Sequence, residues 1–279
     1  MSHFAIRVQG LGKQYRLGQR HPALALRDTL EDILRAPLRG LLSITGHSSS
    51  TTKGRESASG PSLWALKDVT FTVQRGEAVG IIGHNGAGKS ALLRILARIT
   101  KPTEGSAELH GQVRSILEVG TGFHPELTGR ENVFLSGAVL GMKKAEITRQ
   151  FDAIVAFAEV EPFIDTPVKR YSSGMRARLT FAVAAYLEAD ILLIDEVLAT
   201  QDVGFQDKCL RKIRELMAEG RTVLFVSHNM DTIESLCPRA LFLDHGRLLA
   251  DGAVRPVIQC YLDHLHSQER VERSRTYGV

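Results

Sequence analysis

The residues with the clearest chemical meaning are Gly83-His84-Asn85-Gly86-Ala87-Gly88-Lys89-Ser90: a glycine, four residues, then Gly-Lys-Ser. That spacing is the pattern of a phosphate-binding loop. Glycines let successive backbone N–H groups turn inward around phosphate oxygens, and the N-terminus of a following helix adds partial positive charge. In such a loop the Lys89 ammonium reaches the β- and γ-phosphates and the Ser90 hydroxyl sits on Mg2+. A glycine-rich turn that binds nothing would spell the same letters, so the flanks decide. Glu77 to Ile82 is a short apolar run that reads as a buried strand, and Ala91 to Ala97 carries apolar residues at helical spacing. Strand, loop and helix in that order is the context the motif requires.

A phosphate loop also needs an acid for the metal and a group that positions water before it can hydrolyse a nucleotide. Ile191-Leu192-Leu193-Ile194-Asp195-Glu196 offers both. Asp195 ends an apolar strand and would hold Mg2+ directly or through water; Glu196 points elsewhere and could polarise the attacking water. The plainer reading is two carboxylates capping a strand end. His228 follows the next apolar run, Thr222 to Ser227. Strand ends of a parallel sheet gather at one edge, so His228 could reach the γ-phosphate; the plainer reading is a surface histidine.

The elements that must position these groups can be read in order. Phe4 to Val8 alternates like a strand, and Gly10 to Tyr15 reads as a loop. Leu26, Leu30, Ile33 and Leu34 share one face of a helix over 24–36 that Pro37 stops. That helix either covers the domain's own core or docks on a membrane-embedded partner. Residues 44–62, rich in Ser, Thr and Gly, form a flexible insertion with little to bury. A strand resumes at Trp64, and Ala107 to Val113 suggests a hairpin, with another strand over Arg114 to Val119. Helices follow over Asn132–Met142, Lys144–Glu159 and Gly174–Leu187. The strand Asp190–Asp195, a helix over Phe205–Glu219, the strand Thr222–Ser227 and a short helix Asp231–Leu236 come next. Leu241 to Ala250 folds as a hairpin around Asp244-His245-Gly246-Arg247; a last helix spans 254–265, and 266–279 is a charged, frayed tail. Apolar strands alternating with helices indicate an α/β fold with a largely parallel sheet.

Composition narrows the classes. With 43% hydrophobic and 24% charged residues among 279, the chain can bury one large core or two small ones. No apolar run approaches the ~18–20 residues a membrane-spanning helix needs. The start, Met1-Ser2-His3-Phe4, lacks a secretory signal pattern. Cys209, Cys237 and Cys260 are widely spaced, fit neither a zinc pattern nor a disulfide framework, and suit a reducing cytoplasm. The net charge of +4 could favour an anionic membrane surface or nucleic acid, but no single basic block carries it; the plainer reading is a solvated surface, and no nucleic-acid partner is expected.

Taken together, the phosphate loop, Leu192-Leu193-Ile194-Asp195-Glu196 and Ser227-His228 resemble an ABC-transporter nucleotide-binding domain. The resemblance runs from about residue 4 to 265 and is strongest from Trp64 to His228. It implies a P-loop NTPase fold over 1–265: a RecA-like core, an antiparallel β subdomain, and a helical subdomain over about 121–175. It implies that ATP lies on Gly83, His84, Asn85, Gly86, Ala87, Gly88, Lys89, Ser90 and Ala91, with Mg2+ on Ser90 and Asp195. Tyr15 matches the aromatic residue that stacks on adenine, with Trp64 as the rival. Tyr171-Ser172-Ser173-Gly174-Met175 stands where the family has Leu-Ser-Gly-Gly-Gln, so Ser172, Ser173 and Gly174 would clamp the ATP held by a second copy of the chain. Asp202 falls in the D-loop.

Leu117 to Asn132, together with Lys169 to Met175, narrows the resemblance to the ATP-binding subunits of bacterial O-antigen, capsule and teichoic-acid exporters. In that subgroup a glutamate replaces the Q-loop glutamine, and Glu118 fits, sensing Mg2+. The resemblance implies an ATPase that dimerises and works on a membrane-embedded permease, peripherally, at the cytoplasmic face of the bacterial inner membrane. An exporter of a drug or lipid, and a soluble ABC ATPase tied to no membrane subunit, are the alternatives. Ala91 replaces a common threonine, and Gln201 replaces a glycine at a cost of about 1 kcal/mol if that position needs positive φ. Some relatives carry a carbohydrate-binding domain after the ATPase; only 266–279 follows the last helix here, so no direct glycan binding is expected.

Overall fold

Strands β1 (Phe4–Arg16), β2 (Ser62–Gln74), β3 (Ala78–Ile82), β4 (Glu104–Leu109), β5 (Val113–Ser115), β6 (Ile191–Ile194), β7 (Thr222–Val226), β8 (Arg239–Asp244) and β9 (Arg247–Ala253) form two sheets. The structure is a computed structural model that describes residues 4–16, 62–115, 123–195 and 202–277, with side chains for 4–15, 62–115, 123–195 and 202–268. The helix expected over 24–36, nearly all of the 44–62 insertion, and Glu118, Glu196 and Gln201 lie outside the described residues. Contacts divide the chain into residues 1–13 with 64–279 and, separately, residues 14–63. Within the smaller unit the Gln14 amide donates to Ser62 Oγ at 2.8 Å.

The larger sheet has the order β5-β6-β7-β3-β8-β9, parallel except for the final antiparallel hairpin pair. β3, β6 and β7 are buried at every residue, which is why they read as unbroken apolar runs and not as alternating ones. Their residues still point alternately to two cores. Leu192, Ile194, Val223, Phe225 and Ile82 join one cluster; Ile191, Leu193, Leu224, Val226 and Ile81 join the other. The first core is closed by helices α2 (Gly129–Val139), α3 (Lys144–Ala158), α4 (Ser173–Ala185), α5 (Val203–Ala218), α6 (Met230–Leu236) and α7 (Val254–Tyr277). The second is closed by α1 (Lys89–Leu96) and the antiparallel sheet β2-β1-β4.

Pairing of Ile194 with Phe225, Ile81 with Val226 and Ile82 with Phe242 keeps the strands level. The residues that follow β3, β6, β7 and β8 therefore emerge along one edge. Gly83, Asp195, Ser227 and Asp244 are all found there.

Three expectations are corrected. Ala107 to Val113 is not a hairpin: β4 pairs with β1 and β5 pairs with β6, so the chain changes sheets at Gly111. Asp190 makes the change, taking the Gln112 N–H on Oδ2 at 2.7 Å while the Ile191 N–H donates to the Gln112 carbonyl at 3.0 Å. Gly10 to Tyr15 is not a loop but the second half of β1; its glycines mark a register shift between Gln9 and Gly12, with Gly10 at φ +53°. The last helix does not stop at 265 but continues to Tyr277, since Gln, Glu and Arg favour helix and no glycine or proline intervenes before Gly278. The strand expected over Arg114 to Val119 is seen as β5 up to Ser115, its remainder lying outside the described residues; elsewhere the helix and strand ends differ by at most three residues. Among the described residues, no helix is long and apolar enough to cross a membrane.

Candidate nucleotide-binding site

The phosphate loop leaves β3 and enters α1. Gly83 and Gly88 are required by their surroundings as well as by their φ angles of +149° and +108°. A Cβ on Gly83 would lie 2.1 Å from the Leu243 carbonyl oxygen, and one on Gly88 would lie 2.5 Å from that of Ala65. Gly88 caps α1 with left-handed backbone and contributes no side-chain cap, so the N-terminus of that helix opens directly on the loop. Lys89 is 7% exposed and folds back, donating from Nζ to the carbonyls of Gly83 at 2.7 Å and His84 at 2.9 Å. The Ala87 carbonyl accepts from Gly246 N at 2.9 Å, and the Gly246 carbonyl accepts from Lys67 N at 2.8 Å. The turn between β8 and β9 thus braces the loop from outside. Asn85 is exposed at the loop tip, Gly86 has open space around it, and Ala91 packs half-buried on the second core.

Asp195 follows β6 and lies 3.5 Å, Oδ2 to Oγ, from Ser90 in the first turn of α1. Two oxygens from separate elements, one a carboxylate, suit a small hard cation. His228 follows β7 at the same edge with its side chain exposed. Tyr15 lies in β1 and belongs to the smaller unit. Trp64 packs on Gly12 so closely that a Cβ there would sit 3.0 Å from its ring, and Lys67 Nζ lies 5.9 Å from the ring centroid.

Ser172 is the N-cap of α4, its Oγ accepting from Met175 N at 3.1 Å. Ser172 and Ser173 are exposed, and among the described residues a Cβ placed on Gly174 meets the Ser172 hydroxyl alone, at 3.9 Å. Asp202 caps α5 in the same way, accepting from Phe205 N at 3.0 Å. The Arg178 guanidinium of α4 bonds Asp202 on one side and Glu159 at 2.8 Å on the other. Arg178 beside it holds the Asp202 carboxyl below the usual carboxylate range.

Sequence reasoning passed over three residues that hold this arrangement. Arg178 joins α4 to Asp202. Asn132, fully buried, donates its amide to the carbonyls of His124 at 3.0 Å, Leu127 at 3.0 Å and Thr128 at 2.9 Å, and accepts from His124 N at 2.6 Å. The loop it folds carries the stretch before Ser172, through Val168 N to the Leu127 carbonyl and Lys169 N to that of Pro125, both 2.9 Å. Asp244, only 7% exposed at the sheet edge, faces His84. Asn132 and Asp244 could have been flagged as polar residues inside otherwise apolar elements; Arg178 gives no such signal.

The family described as ABC transporter matches residues 66–199. The O-antigen export system ATP-binding protein RfbB of Klebsiella pneumoniae is 49% identical over 197 residues, 71% of this chain and 80% of that protein. The teichoic acids export ATP-binding protein TagH of Enterococcus faecalis is 44% identical over 206 residues, 74% of this chain and 46% of that protein. A solved ATP-binding cassette, dimeric in a post-hydrolysis state with ADP and Pi, superposes with a TM-score of 0.66 at 20% identity, over 90% of this chain and 99% of its own; this likeness concerns the fold. The phosphate loop at the strand edge and the similarity to these proteins agree: the chain belongs to the ABC transporter family, as an ATP-binding cassette.

Proposed function

We propose that this chain is the ATP-hydrolysing subunit of an exporter that carries a polysaccharide, of O-antigen or teichoic-acid type, across the cytoplasmic membrane. The observation that carries the reading is the meeting of Lys89, Ser90 and Asp195 at one edge of the parallel sheet. The triphosphate would lie in the loop against the first N–H groups of α1, with Lys89 turning from the Gly83 and His84 carbonyls to the β- and γ-phosphates. Ser90 and Asp195 would hold Mg2+, which when bound neutralises charge developing on the transferred phosphoryl group. Glu118 would couple that site to the helical subdomain, about 121–175, and Glu196 would polarise the attacking water. His228 would contact the γ-phosphate and Tyr15 the adenine. Ser172, Ser173 and Gly174 would close on ATP held by a second copy, with Asp202 steadied by Arg178 at the junction. Closure of the pair would move a membrane-embedded permease subunit. Identity of 49% and 44% to O-antigen and teichoic-acid export proteins supports the substrate class.

The test is co-purification with the membrane protein encoded beside this chain, with ATP turnover measured alone and in the complex. Turnover should rise in the complex and fall at least a hundredfold in Glu196→Gln, about 2.7 kcal/mol of barrier. A chain that ignores that protein and turns over equally well alone refutes the exporter reading. Equal turnover in Glu196→Gln refutes the assignment of the base.

A further inference from the structure

Beside the phosphate loop, one loop residue, His84, meets two side chains that the nucleotide reading leaves unused, Asp244 and His245. Asp244 Oδ1 is 2.7 Å from His84 Nε2 and 4.0 Å from His245 Nε2, and the His84 and His245 rings have centroids 4.9 Å apart. One possible donor atom from each of His84, Asp244 and His245 lies within 4.8 Å of the other two. The other Asp244 oxygen is engaged at 3.1 Å by Nε2 of His264, from α7.

Protonation makes this arrangement unusual. His84 Nδ1 lies 2.6 Å from the Asn85 carbonyl, which only accepts, so Nδ1 carries the proton. In the neutral ring Nε2 then presents a lone pair. It faces Asp244 Oδ1, another lone-pair atom; both are buried, and neither makes a hydrogen bond of acceptable geometry. Two buried acceptors in contact repel unless a positive centre lies with them. The surroundings are those of a metal-ligating histidine and carboxylate. The ring gives its other N–H to a backbone carbonyl, and the carboxylate's second oxygen is held by a neighbour. His245 stands at the turn with φ +44° and an exposed ring, so the third ligand faces solvent and leaves a path of entry.

We propose that His84, Asp244 and His245 form a binding site for a divalent transition-metal ion of the Zn2+ class. Two imidazoles and one carboxylate suit Zn2+ and leave a position for water, whereas Mg2+ and Ca2+ take oxygen ligands. The site is separate from the Ser90 and Asp195 oxygens. An ion there ties the second residue of the phosphate loop to the turn that braces it through Gly246 and Ala87. Zn2+ binding therefore limits the loop's movement and shifts its affinity for nucleotide.

The experiment uses the full chain, stripped by chelator and free of nucleotide, with Cys260→Ser removing the exposed thiol. Zn2+ is titrated by calorimetry and Co2+ by visible absorption. One equivalent of Zn2+ should bind, and Co2+ should give the intense bands of a site below octahedral coordination. His245→Asn removes the imidazole at a turn position that tolerates asparagine at positive φ, and should weaken Zn2+ by at least about tenfold. His264→Gln should weaken it by about tenfold through the carboxylate. Absence of stoichiometric binding, or equal affinity in wild type and His245→Asn, overturns the proposal and leaves the His84–Asp244 contact as a proton-shared pair. Because His245 is exposed, its variant keeps the test decisive if Asp244→Asn fails to fold. Metal binding is read without nucleotide, so its failure is distinct from failure of the ATPase reading.

Discussion

Truncating Asn132 to alanine tests whether one buried amide folds the approach to α4. The side chain makes a bond to His124 N and shares two amide hydrogens among the carbonyls of His124, Leu127 and Thr128. All three carbonyls keep another partner: Leu127 N on His124, Val168 N on Leu127 and the Asn132 backbone N–H on Thr128. The bond lost without replacement is therefore the one from the His124 N–H. At about 1–3 kcal/mol for a stranded group, the cost should be about 1–3 kcal/mol. In urea this shifts the midpoint by roughly 0.5–1 M at unchanged slope. Leu135→Ala on the same helix is the control; that side chain is 37% exposed and should cost about 0.5 kcal/mol or less. Two variants with equal midpoints would refute the claim that Asn132 organises this loop. ATP turnover should fall further than nucleotide affinity in Asn132→Ala, because the loop carries Ser172 and does not touch the phosphate loop's own hydrogen bonds.

Lys89→Ala should weaken binding of a fluorescent ATP analogue about 10- to 100-fold, the value of one charge-assisted contact to phosphate; unchanged affinity would remove Lys89 from the site. Asp202 titrates below its ordinary value because of Arg178, so the pair stabilises the fold above pH 3.8 and loses that contribution as pH falls through the lower folded value. Asp202→Asn should therefore be less stable than wild type at pH 7, with the gap closing in acid; a gap independent of pH would refute the pairing. Burial pushes the Cys209 and Cys237 thiols up to about 12, while Cys260 is exposed. Iodoacetamide at pH 8 should modify Cys260 alone in the native protein and all three thiols after unfolding, counted by mass spectrometry.

What could be read from the sequence follows from how local its cause is. β3, β6 and β7 are legible because a strand buried on both faces must be apolar throughout. The phosphate loop is legible because its geometry leaves glycine little competition at Gly83 and Gly88. The choice of partner strand is not local. Ala107 to Val113 has the residues of a hairpin, and only Asp190, 78 positions from Gln112, decides that β5 joins the other sheet. Gly10 looks like a loop residue for the same reason that a bulge uses glycine: both need positive φ. The end of α7 misled through its charge, which marks exposure but does not forbid helix.

The glycines of the phosphate loop divide by cause, and the division shows what sets the loop's shape. Gly86 is at φ +85°, and a Cβ there would meet nothing within 4 Å among the described residues, so its requirement is conformational and intrinsic to the turn. Gly83 and Gly88 are hemmed by the carbonyls of Leu243 and Ala65, on β8 and β2. Those contacts join strands far apart in the chain, and the bonds from Gly246 to Ala87 and from Lys67 to Gly246 run through the same place. The loop is therefore held open by backbone from two other strands before any ligand arrives. Lys89 occupies the waiting position by bonding the loop's own carbonyls. On the proposed function, a phosphate entering this cradle would exchange lysine–carbonyl bonds for lysine–phosphate bonds while the backbone stays where the turn between β8 and β9 has fixed it. Electrostatic preorganisation of this kind would let such a site favour developing charge over the ground state, since its dipoles need not reorient during reaction.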